Sequence, residues 1–303
     1  MQPLQKQRSR LKPLLRWLIL GAVLFFLLKT LQSHWQEVAS LRLTGAGLAC
    51  LAIALGITLL AHIFAGFVWA WILKDLSYSV PGSWGARIYL KTNLAKYLPG
   101  NVWHFYGRVS ATTKIGIPID AATLSVVLEP LLMASAGCML AIALLQNASG
   151  LQILVPILIL CGVHPKLFNP VLKRVSKLKK NSVETLRIRR YPIIPLLGEL
   201  GFLGLRSLGF LLTFQAIAPI HHTEIMLLVG AFSSAWLLGL ITPGLPGGVG
   251  VFEAVIIAIL GQHFPAGEIL GVVALYRLVN TIAEGLGAGL VILDEKRYAS
   301  DAG

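Results

Sequence analysis

Acidic side chains are scarce in this chain. Asp and Glu number 13 against 26 Lys and Arg, and charged residues make up only 13% of 303 positions. Soluble domains carry about 25%, so an ordinary water-soluble domain is excluded, and the mean hydropathy of +0.75 agrees. Cysteine is nearly absent. Cys50, Cys138 and Cys161 stand far apart within apolar stretches, which implies neither a disulfide framework nor a metal cluster. No Gly-x-x-x-x-Gly-Lys-Ser/Thr run occurs, so nothing points to ATP hydrolysis, and no cofactor is expected. The net charge of +13 would suggest nucleic acid in a soluble protein. Here the basic residues cluster between apolar runs, as loops facing the cytoplasm and anionic headgroups do, and no nucleic-acid partner is expected.

What the chain does have is apolar surface: 56% of its residues are hydrophobic. Runs of about 20 apolar residues span a bilayer. Taken in order, they describe an all-α polytopic membrane protein, a single integral membrane domain over residues 1–303 with about eight transmembrane helices. Residues 1–16 form a basic N-terminus, and the first span follows at Trp17–Leu28. No A-x-A-like site closes that run, so it is expected to stay uncleaved with its N-terminus in the cytoplasm. Further spans are expected over 46–73, 121–145, 151–163, 193–218, 225–241, 251–261 and 269–293. Residues 164–192 concentrate Lys166, Lys173, Arg174, Lys177, Lys179, Lys180, Arg187, Arg189 and Arg190. This is the strongest positive-inside signal, and it divides the chain into halves. The turns at 147–150 and 262–267 hold no Lys or Arg. Both termini therefore fall in the cytoplasm, with the plasma (inner) membrane as the expected location. His62 lies alone inside the second span, where packing or a helix–helix hydrogen bond is the commoner role. His221-His222-x-Glu224 resembles a metal cluster only superficially.

Two stretches break the apolar pattern. Residues 242–253 hold Pro243, Gly244, Pro246, Gly247, Gly248 and Gly250 ahead of Glu253. Proline removes a donor and glycine frees the backbone, so a regular helix cannot run through, and a broken helix is expected over 242–261. Broken backbone in hydrocarbon survives where protein buries it or where it lines a wet cavity; a tight loop at the membrane surface is the alternative. The echo Pro99-Gly100-Asn101-Val102-Trp103 lies in the other half, and paired interruptions of this kind point to a transport site, with an internal, inverted repeat as a corollary. Around it, Arg87, Lys91, Lys96, Arg108 and Lys114 punctuate 86–118 without a clean amphipathic face. A re-entrant hairpin fits that mixture. The aromatics Tyr97, Trp103, Phe105 and Tyr106 fit its lining or an interfacial belt.

The ordered set Lys96-Tyr97-x-Pro99-Gly100-Asn101-Val102-Trp103 with Arg108, then Pro246-Gly247-Gly248-Val249-Gly250-x-x-Glu253, then Tyr276-Arg277, resembles the flippase-like transmembrane family named after lysylphosphatidylglycerol synthase. The likeness runs from about residue 14 to 293. The bifunctional synthase adds a soluble aminoacyl-transferring domain after its membrane part. This sequence ends shortly past its last span, so the resemblance implies the membrane domain alone, associated with moving lipids between leaflets.

Ionisable residues inside spans face the interior, pair with one another and mark substrate paths. Glu129 precedes Pro130 deep in the third span, Glu199 and Arg206 stand seven apart in the fifth, and Arg277 and Glu284 repeat that spacing in the last. Proton-coupled and structural use of Glu129 are equally open. Arginine offers a planar fork suited to phosphate, and helix N-termini after Pro99-Gly100 and Gly247-Gly248 would add N–H donors. The candidate substrate-binding set is Asn101, His104, Arg108, Glu129, Gly247, Gly248, Glu253 and Arg277. Glu199, Arg206 and Glu284 support it, and Pro99, Gly100, Pro243 and Pro246 break the backbone. The expected activity is translocation of a phosphate-bearing lipid, aminoacylated, glycosylated or polyprenyl. Two rival classes are a non-transporting subunit of a lipid or polysaccharide machine and a membrane-embedded transferase using an acidic general base. A homo-oligomer or a lipid-modifying enzyme as partner is compatible with either.

Overall fold

The computed structural model describes residues 43–98, 102–144, 190–242 and 250–301, with positions 162, 164–167, 169–170, 188 and 248 besides. Every regular element among them is helical. Helix α1 covers Gly45–Asp75, α2 Gly82–Asn93 with a 3-10 turn Leu94–Tyr97 after it, α3 Trp103–Lys114, and α4 Ile119–Leu144. Helix α5 covers Ile193–Gln215, α6 Ile225–Ile241, α7 Val251–Leu260 and α8 Ala266–Asp301.

Five of these stretches are long and apolar enough to cross a bilayer: Gly45–Asp75, Ile119–Leu144, Ile193–Gln215, His222–Ile241 and Ala266–Arg297. They carry exposed apolar side chains outward, among them Leu60, Ile194, Leu197, Met226 and Leu290. A soluble surface rarely presents so much apolar area, and the chain is an integral membrane protein. Of the eight expected crossings, five correspond to these helices. The segment 17–28 and all of 151–163 but residue 162 lie outside the described residues, as does most of the basic loop. The remaining one, α7, has 10 residues. At 1.5 Å per residue it is about 15 Å long, half a hydrocarbon core.

Helices α2 and α3 are equally short, 12 residues each. Their course can be followed against α8. Arg87 in the middle of α2 pairs with Asp294 at 2.6 Å, Lys91 in its last turn with Glu295 at 2.7 Å, and Lys96 in the 3-10 turn with Glu284. Ten residues of α8 separate Asp294 from Glu284, so the arm descends about 15 Å antiparallel to it. Helix α3 then leads back to α4, where Arg108 meets Glu129.

The hairpin can approach this closely because α1 and α2 touch through glycine. A Cβ on Gly66 would overlap the Ala86 backbone, and one on Gly85 would fall 2.5 Å from the Gly66 carbonyl oxygen. Replacing Gly66 by leucine is therefore expected to destabilise the protein by about 1–3 kcal/mol through overpacking. Gly56 on the same helix would meet nothing within 4 Å, so G56L should cost little. Thermal unfolding of both variants in detergent checks this, and equal losses would contradict the contact.

Two aromatic-rich cores complete the frame. One joins Trp69 of α1, Tyr89 of α2, Met133 of α4 and Phe202 of α5. The other joins Phe210, Phe232, Phe252 and Tyr276 from α5, α6, α7 and α8. Glu224 begins α6 by accepting a hydrogen bond from the His221 backbone N–H at 2.8 Å, so the His-His-x-Glu cluster includes a helix cap.

Candidate functional site

The two cores meet around a cavity of about 200 Å³. Its walls come from all eight helices, and both interruptions flank it: Lys96, Tyr97 and His104 beside the first, Gly239, Gly248 and Phe252 beside the second. At the second, Gly248 adopts φ +65°, and a Cβ there would lie 2.6 Å from the Gly239 Cα. Only glycine suits that conformation and that approach, which seats the start of α7 against α6.

Four cations, Lys96, Arg108, Arg206 and Arg277, line the cavity with two carboxylates, Glu129 and Glu284. They are held in three networks. In the first, Arg108 is 2% exposed and pairs with Glu129, its guanidinium 3.8 Å over the Tyr89 ring. Glu129 sits beside Pro130, whose missing N–H leaves the Val126 carbonyl without its helical donor.

The second network centres on Glu284. Its Oε1 accepts from Lys96 Nζ and from Asn280 Nδ2 at 3.1 Å, and lies 3.3 Å from His62 Nε2; its Oε2 accepts from the Tyr97 hydroxyl at 2.9 Å. Asn280 Oδ1 in turn accepts from Arg206 Nη1 and lies 3.0 Å from His62 Nε2. A single carboxylate thus ties the hairpin to α1 and α8.

In the third, Arg277 pairs with Glu253 and reaches the Gly248 carbonyl at 3.4 Å. The other Glu253 oxygen accepts from the Gly250 N–H at 2.6 Å. Glu253 therefore caps α7 at the third helical position, where it complements the positive end of the helix.

Set against the sequence reading, His104, Arg108, Glu129, Gly248 and Arg277 come together on the wall, with Arg206 and Glu284 from the supporting pairs. Glu253 lies behind Arg277 rather than on the wall. Glu199 is 1% exposed, does not line the cavity, and neither carboxyl oxygen has a hydrogen-bond partner. Asn101, Gly247, Pro99, Gly100, Pro243 and Pro246 lie outside the described residues. The hairpin aromatics divide: Tyr97 and Phe105 line the cavity, whereas Trp103 and Tyr106 are exposed. Sequence reasoning missed Lys96, Asn280 and Thr281 as site residues and set His62 aside. For Asn280 a signal existed, because it stands three after Arg277 and four before Glu284, on their shared helix face.

Among the described residues no group of three or more His, Cys, Asp or Glu could hold a metal ion. What the wall offers is unpartnered polar atoms, donors at the two arginines and the Tyr276 hydroxyl, and donor or acceptor at the imidazoles according to tautomer. Arg108 Nε, Arg206 Nε, His62 Nδ1, His104 Nδ1 and the Tyr276 hydroxyl are buried without a hydrogen-bond partner, and all five side chains line the cavity. Guanidinium nitrogens can only donate. Buried polar groups in folded proteins are nearly always satisfied, so this wall is complementary to a polar guest that accepts hydrogen bonds. No family model and no curated protein matches the chain.

Proposed function

We propose that this protein moves a phosphate-bearing lipid between the leaflets of the bilayer. The headgroup occupies the cavity while the hydrocarbon tails stay in the surrounding membrane. One observation carries the reading: four cations from both halves of the chain converge on one partly open cavity inside a bundle of membrane-crossing helices. At about 200 Å³ it is smaller than the roughly 300–1,000 Å³ that encloses whole drug-sized ligands. It suits one polar headgroup and leaves acyl chains outside. Broken helices at such a site are the usual architecture of transporters. The flippase-like family resemblance belongs to the same reading, as do a re-entrant course for the α2–α3 hairpin, an inner-membrane location and cytoplasmic termini. Lys74 lies in the last turn of α1, and Arg87 and Lys91 of α2 pair with Asp294 and Glu295 beside Lys296 and Arg297 of α8; basic residues at these helix ends support that orientation.

A leaflet-exchange assay tests it. Purified protein in liposomes with headgroup-labelled phosphatidylglycerol should let an external quencher reach inner-leaflet label over time. Glu253→Gln and Arg277→Gln, which break the pair holding α7 to α8, should abolish exchange while leaving insertion normal. Equal exchange in all three proteins would leave the cavity without support as the headgroup site, and no exchange in wild type would count against translocation itself.

A further inference from the structure

Among the described residues, every cation of the cavity wall but one has a carboxylate partner. Arg108 pairs with Glu129, Lys96 with Glu284, and Arg277 with Glu253. Among the described residues Arg206 has no carboxylate in ion-pair range. Its partners are the neutral Asn280 amide oxygen and, at 3.5 Å, His62 Nε2. It is 6% exposed, lies 5.1 Å over the Tyr276 ring, and keeps its Nε–H without an acceptor. The Tyr276 hydroxyl beside it is also unpartnered. A permanent cation held away from water needs a counter-charge and acceptors.

Resting on the translocation reading, we propose that the counter-charge arrives with the ligand. The cavity selects a net-anionic phosphate headgroup anchored on Arg206, and rejects headgroups whose own ammonium group cancels the phosphate charge. An ammonium would enter among Lys96, Arg108, Arg206 and Arg277, where both carboxylates of the wall are already engaged. Specificity of this kind comes as much from repelling the wrong guest as from binding the right one. Aminoacylated and choline-type lipids are thereby disfavoured, and phosphatidate-like or polyprenyl-phosphate-like headgroups favoured. The shared chemistry is a phosphate anion, free or lipid-borne.

Calorimetric titration of the purified full chain in neutral detergent decides the matter. The probes are dihexanoyl phosphatidic acid, dihexanoyl phosphatidylcholine, dihexanoyl lysyl-phosphatidylglycerol and inorganic phosphate. Wild type should bind the phosphatidic acid at least about tenfold tighter than either ammonium-bearing lipid, the scale of one lost charge-assisted hydrogen bond. R206Q should bring it to the level of the choline lipid, R206K should retain most of the preference, and R87Q, at a surface ion pair, should change nothing. Wild-type binding of the lysyl lipid as tight as that of phosphatidic acid would overturn the proposal without recourse to any variant. An undiminished preference in R206Q would overturn it too. Arg206-dependent binding of inorganic phosphate as tight as that of phosphatidic acid would keep the anion site and remove the lipid from it. Anion preference in a protein that fails to exchange lipid would uphold the site and sink translocation alone.

Discussion

Replacing Glu284 by alanine is expected to destabilise the protein by about 3–5 kcal/mol, the cost of leaving a buried ion-pair partner without its counter-charge. Glu284 is 2% exposed and is the acceptor for Lys96, Tyr97 and Asn280 at once, with His62 alongside. Without it, Lys96 is left with no carboxylate partner in a largely enclosed position, and the hairpin loses its tie to α8 there. The surface pairs Arg87–Asp294 and Lys91–Glu295 do not compensate, because exposed pairs contribute about 0–1 kcal/mol. Thermal unfolding in detergent reads the loss. A double-mutant cycle separates the pair from its surroundings: K96M and E284L should each be costly alone, whereas the double variant should recover most of the stability. Additive losses would mean that the two residues do not act as a pair.

Much of this site could be read from the chain because a charge inside an apolar run is visible without knowing the fold. Glu129, Arg206, Arg277 and Glu284 stand out in that way, and all line the cavity. Seven-residue spacing was a weaker guide. It puts two residues on one helix face but about 10 Å apart along the axis. Arg277 and Glu284 accordingly take different partners, Glu253 and Lys96, and Arg206 reaches the cavity while Glu199 does not. Lys96 was hidden for the opposite reason. In the mixed stretch 86–118 a lysine carries no contrast with its neighbours, and only the descent of the hairpin along α8 brings it to Glu284. His62 was read as a packing or helix–helix residue. It does bridge helices through Asn280, but it does so on the cavity wall. The glutamate three residues past Gly250 has the spacing of a helix cap, and that signal accounts for the place of Glu253 behind Arg277.

The Arg108–Glu129 pair allows structural and functional roles to be told apart. Arg108 stacks on Tyr89 at 3.8 Å and lies 5.9 Å from the Trp69 ring, whose indole N–H is itself held by Ser125 at 3.2 Å. A lysine there would keep the charge and lose the planar fork and the stacking, so R108K is expected to cost about 2 kcal/mol or more despite its formal conservatism. Removing Arg108 alone would strand Glu129, at about 3–5 kcal/mol. Removing both charges together is different, because apolar residues of similar volume often replace a buried ion pair at little or no cost. R108M/E129L is therefore expected to unfold within about 1 kcal/mol of wild type. If the pair serves translocation, that folded double variant should still fail in the leaflet-exchange assay, since it lacks an arginine of the wall and the carboxylate that positions it. Wild-type exchange by a stable R108M/E129L would assign the pair to architecture and leave Arg206 and Arg277 to carry the headgroup.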